Sequence, residues 1–240
     1  MFPKPAKYRT IFKSREYLNY KTLFCEFEFI EPKEMEFLAG QFINLNIGAS
    51  TFRSYSICSN PANKSSIFII ASVEHEGVGA KFLKHTQLGS EVEIIGPSGR
   101  FVLPPVLSSV LIFIATGTGV APILSMMDVL AEQNITSVII LYFGIRKKDD
   151  LFMINRLNEF EKKLKHFRYY VCFSQDLETT FGNTHYLKGR VSDYVDFKNK
   201  EAQYFLCGNP NMVSDTLNKL AQNNTPETSI FHEKFTLSQR

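Results

Sequence analysis

Val110-Leu111-Ile112-Phe113-Ile114-Ala115-Thr116-Gly117-Thr118-Gly119-Val120-Ala121-Pro122 decides how this chain is read. The unbroken apolar run Val110–Ala115 suits a strand buried on both faces, the kind that parallel sheets use. Two glycines interrupt it, and Ala121–Gln133 continues with the apolar spacing of a helix. Pro122 fits the first helical turn, where a missing N–H costs nothing. In a strand–glycine loop–helix unit the backbone can approach a pyrophosphate closely. The free N–H groups and the dipole of the helix start then attract its charge. A GxG also serves ordinary tight turns, so its meaning depends on what surrounds it.

Downstream, the apolar runs Ser137–Phe143, Phe167–Phe173 and Tyr204–Cys207 alternate with helical segments near Asp149–Leu164, around Val191–Val195 and over Pro210–Gln222. Buried strands alternating with helices mean βαβ units and a parallel sheet. The second run leads into Arg146-Lys147-Lys148, and neither a third loop glycine nor an acid at that strand end is present. A Rossmann dehydrogenase would use both, the acid to hold ribose hydroxyls. The cationic cluster suits a 2′-phosphate; equally, it reads as exposed charge opening a loop, balanced by Asp149 and Asp150. Upstream, residues 6–103 alternate apolar and polar positions in short bursts, Thr22–Ile30, Gln41–Ile47, Ser66–Val73 and Glu91–Ile95, punctuated by Pro32, Gly40, Gly48, Pro61, Gly77, Gly89 and Gly96. That rhythm predicts an antiparallel barrel or sandwich, with Gly79–His85 as a single short helix. Pro104-Pro105 marks the boundary, giving domains 1–105 and 106–240.

Composition narrows the function. With 27 basic and 24 acidic residues and a net charge of +3, the chain is too balanced for a nucleic-acid binder. Its four cysteines, 25, 58, 172 and 207, form no CxxC pair, which argues against a zinc site or an iron–sulfur cluster held by this chain. No secretory apolar segment follows the start, and Val110–Ala115, the longest apolar run, is far short of the roughly 20 residues of a membrane span. A cytoplasmic, thiol-reduced setting is the expectation. Lys4, Lys7, Arg9, Lys13 and Arg15 crowd the start, either as a solvated strand face or as a docking patch for a small acidic electron carrier.

Arg53-Ser54-Tyr55-Ser56-Ile57-Cys58-Ser59 runs from a strand into a turn at Asn60-Pro61. Alone, Tyr55 is a half-buried strand aromatic and Arg53 a surface charge. Taken with Gly96–Phe101 (GPSGRF), Thr116–Pro122 (TGTGVAP), Tyr142–Phe152 (YFGIRKKDDLF) and Cys207–Val213 (CGNPNMV), the segment resembles the ferredoxin–NADP⁺ reductase superfamily. The segments keep the family's order over nearly the whole chain. Cys207–Leu217 and Gly189-Arg190 look most like the compact bacterial ferredoxin (flavodoxin) NADP⁺ reductases.

The resemblance implies a β + α/β architecture: an N-terminal antiparallel flavin-binding β-barrel followed by a C-terminal parallel-sheet α/β nucleotide-binding domain. It implies FAD and NADP, with NAD possible, and hydride transfer between NAD(P)H and bound FAD. Electrons would pass to a separate ferredoxin or flavodoxin. The alternatives are the reductase component of an oxygenase, a free-flavin reductase, or a non-catalytic flavin-carrying electron-transfer subunit. The resemblance also assigns roles. Arg53 pairs with the flavin phosphates, Tyr55 stacks on the isoalloxazine, and Ser56, followed by Ile57, hydrogen-bonds near flavin N5. Gly77, Gly79 and Ala80 open the short helix facing the pyrophosphate, with Ala80 in place of the usual Ser or Thr. Thr116, Gly117, Thr118 and Gly119 cradle the second dinucleotide, and Cys207 and Gly208 lie beside the nicotinamide. Ser174 precedes Gln175 where NADP-specific relatives carry Ser-Arg, leaving Arg146 and Arg190 as 2′-phosphate ligands. Glu233 matches a family acid near the nicotinamide, giving Ser56, Cys207 and Glu233 as the catalytic set. Phe235 matches the aromatic that covers the flavin, here followed by Thr236–Arg240.

Overall fold

The computed structural model describes residues 2–48, 50–133, 135–176 and 184–235. The chain divides into two compact units, one of residues 1–103, 121–129 and 238–240, the other of 104–120 and 130–237.

The first unit is built on six antiparallel strands: β1 (Ala6–Asn19), β2 (Thr22–Glu31), β3 (Phe42–Asn46), β4 (Phe52–Ser56), β5 (Ser66–Ser72) and β6 (Glu91–Ser98), in the order β4-β3-β6-β1-β2-β5. A bridge from Ile57 to Ile69 and a bond from Cys58 N to Phe68 O (2.8 Å) join the two outer strands and close the sheet into a barrel. Alternation sets the faces: on β2, Leu23, Cys25, Phe27 and Phe29 are buried, and Glu26 and Glu28 stand between them. Helix α1 (Val78–His85) lies between β5 and β6 in the chain. Residues 121–129 also belong to this unit, where the buried Ser125 hydroxyl donates to Ser59 O at 2.7 Å.

On the outer face of β1 the basic residues meet acids of the neighbouring strands. Lys7 pairs with Glu93 (2.8 Å), Arg9 with Glu91 (3.0 Å) and Glu31 (3.3 Å), and Lys13 with Glu26 (3.4 Å) and Glu28 (3.5 Å). These charges form an ion-paired, solvated strand face. Arg15 departs from that face altogether. A bulge between Phe12 and Ser14 shifts the register, so Arg15 pairs with the core residue Cys25 and turns to the side of the sheet opposite Lys13.

The second unit is a parallel sheet of β7 (Val110–Thr116), β8 (Val138–Ile145), β9 (Phe167–Phe173), β10 (Tyr186–Lys188), β11 (Ala202–Gly208) and β12 (Ile230–Lys234), ordered β10-β9-β8-β7-β11-β12. Helix α2 (Val120–Glu132) follows β7, α3 (Ile154–Lys163) follows β8, and α4 (Pro210–Gln222) follows β11. Asn209 caps α4, its Oδ1 accepting from Asn211 N at 2.9 Å, with Pro210 at the first helical position. The strand order reverses between β7 and β11, the place where open α/β sheets bind ligands.

The sequence predicts a helix around Val191–Val195; the structure has a single 3-10 turn there, Val191–Asp193. The Asp193 carboxylate accepts from Arg190 N at 2.8 Å and the Tyr194 hydroxyl donates to Lys188 O, so the segment closes on itself instead of propagating. Helix α3 begins later than the expected Asp149, because Asp150 is buried accepting from Lys147 N (3.2 Å) and holds residues 148–150 in a separate turn. No helix among the described residues is long and apolar enough to cross a membrane.

Candidate functional site

At the carboxyl ends of β7 and β11 two backbones touch. A Cβ on Gly208 (φ +132°) would lie 2.6 Å from Thr116 O and 3.0 Å from Thr116 N, and closer still to Thr116 Oγ1. A Cβ on Gly119 would lie 2.6 Å from Cys207 C and from Gly208 Cα. Only glycine permits either approach. Thr116 Oγ1 completes the contact by accepting from Asn209 N at 2.9 Å. Gly117 (φ +54°) has open space where its Cβ would be. Its 3-10 turn, Gly117–Gly119, runs straight into α2 with no acidic residue in either first turn. The turn Gly117–Gly119, expected with Thr116 to cradle a diphosphate, thus stands at the strand end beside Gly208 and opens directly into α2. Asn209, which the sequence reading passed over, stands at the same strand end; the Asn-Pro pair opening α4 was the available signal.

Cys207 and Glu233 are register partners on β11 and β12, and Gly208 pairs with Lys234. The Cys207 thiol is fully buried, and burial first, then the Glu233 carboxylate, push its pKa well above the ordinary value. It remains a neutral thiol across physiological pH. Phe235 N donates to Gly208 O at 3.2 Å, placing Phe235 directly after this pair. Thr236–Arg240 lie outside the described residues.

Further along the same edge of the sheet the ends of β8, β9 and β10 converge. Ser174 N donates to Ile145 O (3.0 Å) and Gln175 N to Arg146 O (2.9 Å). Gly189 N donates to Phe173 O (2.9 Å), setting Arg190 one strand beyond Ser174. Arg146, Ser174 and Arg190 therefore stand on adjacent strand ends, all solvent-exposed. Acids share the place: Asp176 accepts from Lys148 N (3.2 Å) and Asp193 from Arg190 N.

The flavin residues assigned by resemblance gather within the barrel unit. Arg53 and Tyr55 oppose Leu45 and Ile43 across β3, so both project on the same side of the sheet. Tyr55 packs half-buried on the core, and burial raises its phenol to about 12, so it is a neutral ring. Gly79 of α1 sits against both: a Cβ there would lie 2.6 Å from Tyr55 Oη and 3.2 Å from Arg53 Cγ. Gly77, extended and exposed, leads into α1 with no side-chain cap and no acid in the first turn, and Ala80 is buried. A helix start with uncapped N–H groups, an arginine and a tyrosine face thus meet at one point. That set fits a flavin with phosphate groups, Arg53 as the cation, α1 as the dipole and Tyr55 as the ring surface. Ser56 is buried at the end of β4, and Ile57, wholly buried, makes the barrel-closing bridge.

Comparison with known proteins matches residues 10–103 to an oxidoreductase FAD-binding domain and residues 113–218 to an oxidoreductase NAD-binding domain. The chain is 30% identical over 213 residues to the reductase component of propane 2-monooxygenase from Rhodococcus jostii, covering 86% of this chain and 58% of that protein. It is 27% identical to ferredoxin–NADP reductase B from Sorangium cellulosum, covering 78% of this chain and 80% of that protein. Among solved structures, an Amycolatopsis cytochrome P450 reductase superposes with a TM-score of 0.86 at 22% identity, covering 98% of this chain and 71% of that one. The chain spans about 60% of the length of the monooxygenase reductase components it matches.

Proposed function

This chain belongs to the ferredoxin–NADP⁺ reductase superfamily, and we propose that it is a NAD(P)H-dependent flavin reductase supplying electrons to an oxygenase. The observation that carries this is the pairing of two dinucleotide cradles on one chain, Arg53, Tyr55 and Gly79 on the barrel and Thr116–Gly119 with Gly208 on the parallel sheet. Bound FAD would supply the chemistry, taking electrons as a pair from the nicotinamide coenzyme and handing them on.

The side chains position and protect. In this reading Arg53 gives the FAD diphosphate a charge-assisted contact, and the start of α1 gives it backbone N–H groups. Tyr55 would offer a neutral ring surface to the isoalloxazine, and Ser56 would add a hydroxyl at the end of the same strand. The Gly117–Gly119 turn and the start of α2 hold the coenzyme diphosphate. Cys207, kept protonated and wholly buried at this strand end, would act on a neighbouring nicotinamide as a small polarizable group rather than as a nucleophile. Glu233, its register partner, would stand at the same strand end.

NADPH is the proposed coenzyme, with Arg146 as the 2′-phosphate ligand, Ser174 beside it and Arg190 one strand further. Because both arginines are exposed and Asp176 and Asp193 lie among them, the preference over NADH is only a few-fold. The acceptor is proposed to be an oxygenase component or an iron–sulfur protein feeding one. The names of the matched relatives suggest this. Steady-state assays with NADPH and NADH against an oxygenase component, a ferredoxin, a flavodoxin and free FMN test this directly. Reduction of free flavin alone, with no protein acceptor reduced, would displace the oxygenase reading.

A further inference from the structure

We propose that Arg15 is a positioning residue for the flavin diphosphate, acting through helix α1; this rests on the FAD site proposed above. The bulge between Phe12 and Ser14 swings Arg15 away from the salt-bridged outer face of β1. A regular strand would have left it pointing outward with Lys13. Its guanidinium instead lies over the Phe12 ring, 5.7 Å from the centroid, with Nη1 donating to Leu83 O (2.7 Å) and Thr86 O (3.2 Å). Those carbonyls belong to the last turn of α1 and to its C-terminal cap. A cation there satisfies orphan acceptors and faces the negative end of the helix dipole.

The other end of this eight-residue helix forms part of the flavin site. Gly79 is packed against Tyr55 and Arg53 so closely that an added Cβ would have to displace the Tyr55 hydroxyl. A shift of α1 by a fraction of an ångström along its axis would therefore move the uncapped N–H groups relative to Arg53. The same strand pins the segment after α1, through Gly89 N to Phe12 O (2.9 Å) and Phe12 N to Ser90 O (2.9 Å). The loop before α1 is tied by Lys21 to Glu74 (3.5 Å), and Lys84 reaches back to Glu76 (3.2 Å). Of these ties, Arg15 is the one whose side chain grips the helix backbone itself. Arg15 thus fixes the axial position of α1, and through it the place where the diphosphate is bound.

Apoprotein titrated with FAD and, separately, with riboflavin distinguishes this from a merely structural role, since riboflavin has the ring and no phosphate. Arg15→Met should weaken FAD at least tenfold and leave riboflavin affinity within twofold of wild type. Arg15→Lys, which keeps the charge but not the two-carbonyl fork and is the milder change should Arg15→Met not fold, should lose about threefold for FAD and nothing for riboflavin. Parallel losses for both flavins would show that Arg15 only supports the barrel, and wild-type affinity for FAD in Arg15→Lys and Arg15→Met would overturn the proposal. A wild-type chain that fails to bind FAD would instead defeat the flavin reading on which the proposal stands.

Discussion

Replacing Gly208 with alanine probes the contact on which the coenzyme cradle depends. The new Cβ would stand 2.6 Å from Thr116 O and 3.0 Å from Thr116 N, backbone atoms of a fully parallel sheet that cannot swing aside. A non-glycine residue at φ +132° costs on the order of 1–3 kcal/mol, and forcing a methyl into packed backbone costs about as much again. The sum, about 2–6 kcal/mol, should lower the thermal midpoint of the purified protein by at least ~5 °C. Coenzyme affinity should fall about tenfold or more, since the Thr116–Gly119 turn is the part that must give way. Gly89→Ala is the control: Gly89 also has positive φ (+88°) but open space around its Cβ position, so it reports the backbone cost alone. Melting followed by circular dichroism, together with coenzyme titration by fluorescence, gives both readings. A Gly208→Ala protein that melts no lower than Gly89→Ala and binds coenzyme like wild type would refute the close approach of β7 and β11.

The remaining predictions use other parts of the molecule. Gly79→Ala should push the Tyr55 hydroxyl aside, which a side-chain tip can do cheaply, so FAD should bind several-fold more weakly while the circular dichroism spectrum stays unchanged; unaltered FAD affinity would separate Gly79 from the flavin site. Cys207→Ala should keep fold and flavin but slow flavin reduction in stopped flow by a factor of ten or more, about 1.4 kcal/mol of barrier per factor of ten; a wild-type rate would show that Cys207 only packs. Cys25 and Cys172 are pushed to about 12 by burial, Cys207 well above its usual value, and Cys58 is buried as well. None of the four should react with a thiol reagent at pH 8 until the protein unfolds, and rapid labelling of the native protein would contradict their placement.

Much of the fold was legible because its signals are local. The run Val110–Ala115 and the helical spacing over Pro210–Gln222 announced β7 and α4 almost to the residue. The short edge strands β10 and β12 carry too little apolar sequence to be recognised; tertiary pairing with β9 and β11 makes them strands. Arg15 was misread for a similar reason. In sequence it continues the charge series of Lys7, Arg9 and Lys13, and only the bulge beside Ser14 reverses its face. The candidate site residues were named through motif resemblance rather than periodicity. Physics adds why they stand together: Gly119 and Gly208 are points where two backbones approach more closely than a Cβ allows, and Gly79 is where α1 meets the Tyr55 side chain.

The central claim is that this chain carries FAD and reduces it with a nicotinamide coenzyme. Reconstituting the purified protein with FAD, removing the excess, and adding NADPH or NADH without oxygen tests it in one measurement. The account predicts a yellow protein with FAD bound near one per chain, whose visible flavin band bleaches on addition of either coenzyme and does not bleach in Arg53→Ala, which should no longer retain the flavin. A protein that stays colourless after FAD treatment, or that binds FAD and keeps its colour with both coenzymes, would contradict it.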